Sequence, residues 1–370
     1  MKEDATFYYI VWGIVLLIAL IERLRKKPFN NTIITAIFMM AAVIVACRVE
    51  VGTDWDHYRF LYYHGYDEAG RDSSIIEPLF MSIRYISYNL EFTHSVFFLI
   101  LSLISLFAIR KAAALFGIKY FMTVFLVYYS MFFLNYQFNI VRHGVMASLI
   151  WLSFAYKTKG NTKATSFSIL AALGFHYSAL IFVPFLFVLD RKFSKTLVLS
   201  ILVAAYLTYF LQLSMRIINS IPILFQLERT ASFVTSGEFV KDYGLTIGTQ
   251  IQVFFSLFLY FKYSESYKSN PDFRLLVNSI ILNFLLLCIL NAFNAIISRI
   301  CNAFFMAMIF LLPMFIEKLK EPVGKFIAGF LIIIYLFITL PKTFVIKEDG
   351  YSDMLPYRFE IEQFFDKNVK

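Results

Sequence analysis

The chain has 370 residues, of which 59% are hydrophobic and only 16% are charged, against roughly 25% charged residues in an average soluble domain. This composition excludes a protein whose surface mostly faces water, and it predicts an integral membrane protein. The net charge of +9 would suggest nucleic acid as a partner for a soluble protein. In a membrane protein the distribution of Lys and Arg instead sets the orientation, so we expect no nucleic-acid partner.

Apolar stretches long enough to cross roughly 30 Å of hydrocarbon occur along the whole sequence. They predict an all-α, polytopic membrane helical bundle with about ten full spans. The spans run from Phe7 to Ile21, Thr32 to Cys47, Ser95 to Ile109, Tyr120 to Tyr136, Asn139 to Tyr156, Thr196 to Leu213, Leu245 to Phe261, Leu275 to Asn291, Ala295 to Ile316 and Phe326 to Leu340.

A further apolar stretch, Ala164 to Leu189, is long for one span and short for two. Short loops rich in Lys and Arg stay in the cytoplasm, and the cluster from Arg23 to Lys27 therefore places the N-terminus outside. The basic connection from Asp190 to Lys195 stays cytoplasmic only if the stretch enters the membrane and returns. We therefore predict a helical hairpin that folds back near Gly174 and His176.

With this orientation the long connections lie outside the cytoplasm and the cytoplasmic loops are short. We predict one transmembrane domain, residues 1–340, with outer loops at 48–94 and 214–244, followed by an extracytoplasmic tail, residues 341–370. Long loops can cover a substrate site, so we expect the chemistry on the extracytoplasmic face of the cell membrane. The tail carries Tyr351, Asp353, Tyr357 and Arg358 among apolar residues. It is equally compatible with an amphipathic lid and with disorder.

Two arginines at the outer ends of predicted spans are the strongest functional signal. Arg142 lies in the stretch from Gln137 to Gly144, and Arg299 lies between Asn294 and Asn302. An arginine at the centre of a membrane costs about 2.5–3.5 kcal/mol to insert. Either residue alone could extend its side chain to the interface. Two at matching depth, among polar neighbours, predict a shared pocket for an anion, and the fork of a guanidinium suits phosphate oxygens.

His176 lies at the predicted tip of the hairpin. A lone histidine in apolar surroundings is most often a hydrogen-bonded structural residue. A break in a helix deep in the membrane, however, is tolerated only beside protein or a polar cavity. His176 beside such a cavity would serve as a general base or as a hydrogen-bond donor to a phosphate.

The first outer loop brings polar residues directly after the second span. Arg48, Gly52, Asp54, Asp56 and His57 follow one another there. The Asp-x-Asp pair with a histidine could hold a divalent metal, but Asp54 is also a favoured N-cap of a short surface helix. Farther on, Glu77 precedes Pro78 at a predicted helix start. There the helix dipole would favour its negative charge, or Glu77 would pair with a membrane arginine.

These residues together resemble the EpsG family of Wzy-type polysaccharide polymerases, over most of residues 1–316. The motifs that carry the resemblance are short, and their order and depth in the membrane are the evidence. They are Arg48 with Gly52 and Asp54, Glu77 with Leu79 and Phe80, Arg142 with Gly144, Phe175 with His176, Ser178, Ala179 and Leu180, and Arg299 with Phe304.

The resemblance implies an enzyme that moves a growing glycan from undecaprenyl pyrophosphate onto the sugar of another lipid-linked repeat unit. It implies no cofactor and no metal, and its partners would be the lipid-linked oligosaccharide, the bilayer, and a flippase and chain-length regulator. Arg142 and Arg299 would bind the donor pyrophosphate, His176 would act as base or phosphate donor, and Asp54 or Glu77 would be the alternative base. Further substrate-binding candidates are Arg48, Gly52, Asp56, Tyr58, Glu77, Gln137, His143 and Asn302.

Three other functions fit parts of the sequence. A GT-C-like glycosyltransferase that uses a polyprenyl phosphate would hold a metal at Asp54 and Asp56. A lipid-oligosaccharide flippase should show polar residues at both faces and an internal repeat, neither of which is evident here. A membrane acyltransferase would use His176 but would need an acyl donor from the cytoplasmic side, away from the arginines.

Overall fold

The computed structural model describes residues 4–65, 77–213, 216, 245–291, 294–344, 352 and 354–364, without the side chains of residues 294–298, 363 and 364. Within these ranges the chain is helical, as predicted, and an isolated β-bridge joins Arg48 and Phe359. The outer loop at 214–244 lies outside the described residues except for residue 216, as do residues 66–76 of the first outer loop and Tyr351 and Asp353 of the tail.

The chain divides into two compact units. Unit 1 contains Met1–Val183 and Leu312–Lys370, and unit 2 contains Pro184–Leu311. A single domain over residues 1–340 stays a prediction.

Unit 1 is built from helices that run back and forth between two ends. Its helices are α1 (Thr6–Leu24), α2 (Asn31–Ala46), α3 (Trp55–His64), α4 (Pro78–Asn89), α5 (His94–Leu115), α6 (Phe121–Tyr128), α7 (Val141–Thr158) and α8 (Thr162–Phe175). Two π-helical segments, Tyr129–Phe133 and Asn135–Asn139, continue α6, and a 3-10 helix, Tyr177–Phe182, follows α8.

Unit 2 begins with a 3-10 turn, Pro184–Phe187, and continues with helices of mixed length. They are α9 (Lys195–Phe210), α10 (Ile247–Lys262), α11 (Ser264–Ser269), α12 (Pro271–Ile289), α13 (Asn294–Phe305) and α14 (Met308–Lys318), in which the boundary between the units falls. The chain then returns to unit 1 with α15 (Pro322–Thr339) and a 3-10 turn, Leu340–Thr343.

The described helices are those of a multi-pass membrane protein. Five segments are long and apolar enough to cross a bilayer: Thr6–Leu24, His94–Leu115, Pro271–Ile289, Arg299–Lys318 and Pro322–Thr343. Shorter apolar helices occur at Asn31–Ala46, Phe121–Phe133, Tyr177–Phe187 and Lys195–Phe210. The figure of about ten spans therefore stays a prediction.

The segment predicted as a hairpin breaks where the sequence placed its tip. Helix α8 ends at Phe175, and His176 adopts an extended backbone with φ −162° and ψ 125°. The second arm was predicted as a helix over Tyr177 to Leu189. That prediction is wrong in the kind of helix, because the arm consists of two short 3-10 segments. Pro184 accounts for the interruption, since proline lacks the N–H that an α-helix needs at that position.

The two ends of unit 1 differ in chemistry. At one end, Arg23 of α1 donates through Nε to Thr123 Oγ1 over 2.9 Å, and Glu22 accepts a hydrogen bond from the backbone N–H of Met122 over 2.9 Å. Arg110, near the end of α5, donates to Asn31 at the start of α2 at that same end. The opposite end, which we call the site end, carries the candidate site residues that belong to unit 1.

Candidate functional site

The centre of the site end is an ion pair between Arg142 and Glu77. Arg142 is the second residue of α7, and Glu77 is the N-cap residue of α4. Nη1 of Arg142 lies 2.8 Å from Oε2 of Glu77, and the two side chains are 21% and 7% exposed. A cation in the first turn of a helix is disfavoured by the helix dipole. The carboxylate of Glu77 offsets that repulsion and holds the guanidinium in one place.

Aromatic rings line the rest of the Arg142 side chain. The guanidinium carbon lies 5.3 Å from the centre of the Phe80 ring and 5.9 Å from that of Tyr58. The Tyr58 hydroxyl also accepts a hydrogen bond from the backbone N–H of Arg142 over 3.4 Å. Cation–π contacts of this kind add about 0.5–2 kcal/mol each. Helices α3 and α4 therefore both position the arginine that begins α7.

The first turn of α7 needs a residue without a side chain at Gly144. A Cβ at this position would lie 2.6 Å from the backbone oxygen of Tyr136 and 2.7 Å from its Cβ. The second π-helical segment, which carries Tyr136 and Gln137, therefore packs directly on the first turn of α7. Such π-helical segments are rare and frequently mark functional sites. Gln137 is fully buried and donates to the Tyr128 hydroxyl over 2.8 Å.

The first outer loop is docked onto the residues that precede Arg142. Gly52 has φ +104°, and a Cβ there would lie 2.4 Å from the backbone oxygen of Phe138. The backbone N–H of Thr53 donates to Asn139 Oδ1 over 2.8 Å. Asn139 was not among the predicted site residues. Its sequence signal was a polar residue at the start of a predicted span, among the polar neighbours of Arg142.

Arg48 is buried completely beneath this loop. Its guanidinium donates to the backbone oxygens of Val45, Val51 and Phe138 and lies 4.2 Å from the centre of the Phe98 ring. Burial lowers the pKa of Arg48 to about 9, which leaves it charged at neutral pH. The hydrogen bonds recorded for Arg48 go to the backbone, so the structure places it under the loop instead of in contact with solvent.

Residues of the tail complete this arrangement. We call residues 354–360 the tail strap. The backbone N–H of Val49 donates to the oxygen of Arg358 over 3.1 Å, and that of Glu360 donates to the oxygen of Cys47 over 2.9 Å. The Tyr357 ring stacks on Phe7 at 4.0 Å. The described part of the tail is thus ordered by contacts with the first outer loop.

The acidic residues of the loop surround the start of α3. Asp54 is the N-cap residue of α3, as predicted, although its side chain makes no capping hydrogen bond, and Asp56 is exposed in the first turn. Across the part of the chain that the structure describes, no group of three or more His, Cys, Asp and Glu side chains is arranged to hold a metal ion.

His176 comes together with the residues around Arg142. Its ring centre lies 5.4 Å from that of His143, with the ring planes at 88°. Gly174, two residues before His176, packs against the Leu79 side chain of α4. The backbone N–H of Ser178 donates to His176 Nδ1 over 3.2 Å. A ring nitrogen accepts a hydrogen bond only when it carries no proton, so a neutral His176 carries its proton on Nε2.

Arg299 and Asn302 lie on α13 in unit 2. Arg299 is the sixth residue of that helix, in its second turn, and its side chain is exposed, whereas Asn302 is half-buried. Of the predicted residues, unit 1 thus brings together Arg142, Glu77, Tyr58, His143 and His176. A pocket shared by Arg142 and Arg299 stays a prediction.

Comparison with known protein families gives a match to a family model. The model of the EpsG family matches residues 31–359, which is most of the chain. The chain belongs to the EpsG family. This family is associated with polysaccharide polymerases. No curated protein and no solved structure matches the chain.

Proposed function

We propose that this EpsG family member is a Wzy-type polymerase that transfers a growing glycan from undecaprenyl pyrophosphate to a sugar hydroxyl of another lipid-linked repeat unit. The observation that carries the proposal is the guanidinium of Arg142, held at the start of α7 by Glu77 and two aromatic rings. Family membership supports the same class of reaction. The proposed site faces the extracytoplasmic side, where the sequence places the long loops.

The reaction breaks the bond between the anomeric carbon and the pyrophosphate oxygen and forms a bond from that carbon to the acceptor oxygen. Negative charge builds up on the leaving pyrophosphate, and a positioned cation stabilises it. One such donor contributes about 2.7–4 kcal/mol by analogy with oxyanion holes. In our proposal Arg142 provides this stabilisation from unit 1. Arg299 is proposed as a second cation on the sequence evidence alone.

We assign His176 the role of hydrogen-bond donor in preference to general base. Its Nδ1 accepts a hydrogen bond from the backbone N–H of Ser178. In the neutral ring Nε2 then carries the proton, and we propose that it donates to a phosphate oxygen. The acceptor hydroxyl must still lose its proton. Glu77 uses Oε2 in the pair with Arg142, so we propose Asp54 as the base. Gln137, His143, Asp56, Tyr58 and Asn302 remain proposed substrate contacts, while Arg48 and Gly52 are proposed to shape the loop.

The central experiment replaces the arginine. Arg142→Ala should reduce the rate of glycan polymerisation about 100- to 1,000-fold, the size of effect seen when one transition-state donor is lost. Glycan length on gels and turnover of purified protein would measure it. Arg358→Ala is a matched control at the same end of unit 1, because its ion pair with Glu50 is more than half exposed. Wild-type glycan lengths from Arg142→Ala would refute the proposal, and Arg299→Ala tests the second arginine in the same way.

A pair of substitutions separates the two roles of His176. Glutamine offers an N–H donor but no basic nitrogen, whereas alanine offers neither. In the donor role, His176→Gln should retain clearly more polymerase activity than His176→Ala. Equal loss in both variants would favour the base. Activity retained in EDTA would, in addition, exclude the metal-dependent alternative at Asp54 and Asp56.

A further inference from the structure

Helix α4 presents an apolar face that no described part of the chain covers. Its 12 residues extend about 18 Å, which is too short to cross a bilayer. Tyr85 is 65% exposed and Ile86 is 56% exposed. Two polar residues, Ser82 and Asn89, are exposed on the same helix, and their side chains donate to its own backbone oxygens, at Pro78 over 2.7 Å and at Tyr85 over 2.8 Å. A surface helix in contact with water would normally present charged residues at such positions.

The one charged residue of α4 points away from that face. Arg84 donates through Nε to the backbone oxygen of Tyr62 over 3.0 Å and packs near Tyr88. Every exposed residue of the helix is therefore uncharged. The opposite face is buried, with Phe80 1% exposed beneath Arg142.

The neighbouring segment identifies what covers the apolar face. Two exposed apolar residues, Leu90 and Phe92, flank the exposed Glu91 in the connection from α4 to α5, a helix long enough to span the membrane. The exposed surface of α4 thus adjoins, along the chain, a helix that we expect to contact lipid. Tyrosine at such a junction is typical of the aromatic belt at the membrane interface.

We infer that α4 is a membrane-surface helix whose face of Tyr85 and Ile86 lies among lipid head groups and upper acyl chains. This placement holds the Glu77–Arg142 pair at the level of the lipid phosphates, since Glu77 directly precedes the helix. On the proposed function, from which this last step follows, a lipid-linked pyrophosphate reaches Arg142 laterally along α4 without leaving the membrane.

Fluorescence quenching by brominated lipids tests the placement without any assay of activity. The three native tryptophans are all buried, so brominated lipids should quench their fluorescence only weakly. They are Trp12, Trp55 and Trp151. Tyr85→Trp, reconstituted in bilayers, should lose more fluorescence to lipids brominated near the carbonyl than to lipids brominated near the chain end. Phe330→Trp, an exposed position in the middle of α15, is the matched control and should show the reverse order.

Two outcomes would overturn the placement. Quenching of Tyr85→Trp no greater than that of the wild type would mean that water, another protein or a second copy covers the face. Stronger quenching by the deep label would mean that α4 lies within the hydrocarbon. The lateral route is tested separately with Ile86→Asp, which should raise the KM for the lipid-linked donor several-fold relative to Ile86→Leu. An unchanged KM would refute the route and leave the placement intact.

Discussion

Single residues at the site end act mainly by fixing backbone positions. Gly144 lets the π-helical segment approach α7, and Gly52 lets the first outer loop approach Phe138. Both belong to short motifs by which the sequence resembled its family. The contacts suggest why those motifs contain glycine, because a side chain at either position would displace the backbone that carries Arg142.

Gly144→Ala tests this packing. The added Cβ would lie 2.6 Å from the Tyr136 oxygen, and overpacking of this kind typically costs about 1–3 kcal/mol. We expect a lower Tm in detergent and reduced polymerisation. Gly13→Ala in α1 is the matched control, because nothing lies within 4 Å of its Cβ position, and alanine is favoured over glycine in a helix. An equal or higher Tm for Gly144→Ala than for Gly13→Ala would contradict the packing argument.

At the scale of elements, the site end depends on segments that are far apart in sequence. Helix α7 supplies Arg142, the start of α4 supplies Glu77, and the end of α8 supplies His176. The tail strap joins them indirectly, since it pairs with the loop that docks on Asn139. The strap is therefore a structural part of the site end.

Substitution of Tyr357 measures the contribution of the strap. Its hydroxyl donates to the backbone oxygen of Ile44 over 2.6 Å, and loss of such a hydrogen bond costs about 0.5–1.5 kcal/mol. Tyr357→Phe should therefore lower the Tm slightly, and Tyr357→Ala, which also loses the stack on Phe7, should lower it much more. Limited proteolysis should then cleave the tail faster. Ile361→Ala, at an exposed position nearby, should behave as the wild type, and a tail of Tyr357→Ala as resistant as that of the wild type would refute the strap's role.

For the whole molecule, the orientation in the membrane is the prediction that decides where chemistry occurs. Within unit 1 the basic segments near Arg23 and Arg110 lie at the end opposite to Arg142, as the orientation requires. Labelling with a membrane-impermeant maleimide in intact cells tests the orientation. A cysteine introduced as Thr53→Cys should be labelled from outside, and one introduced as Lys192→Cys should be labelled only after lysis. The native cysteines are buried and give little background. Labelling of Lys192→Cys in intact cells would overturn the re-entrant segment.

Hydropathy was sufficient to predict the helical class. The break at His176 was predicted from the length of the apolar run together with the basic connection that follows it, which had to stay in the cytoplasm. The approach of Glu77 to Arg142 was one of two alternatives, since a carboxylate at a helix start has a local explanation as well. The π-helical segments and the 3-10 arm were not predicted, because their hydrogen bonds differ from those of an α-helix without a change in hydropathy. Arg48 was expected to bind substrate. Its guanidinium is buried against backbone oxygens and the Phe98 ring, and contacts with the backbone leave no pattern in the sequence.

The contact between strap and loop also sets an order of assembly during synthesis. Arg358 of the strap and Glu50 of the loop are 308 positions apart, and Met354, which accepts from Tyr8 of α1, is 346 positions from it. Ribosomes add roughly 5–20 residues per second, so the strap emerges on the order of 15–60 s after the loop it holds. The loop acquires its docking partner only after nearly all of the helices have been made, and a nascent chain interrupted by a premature stop codon would lack it.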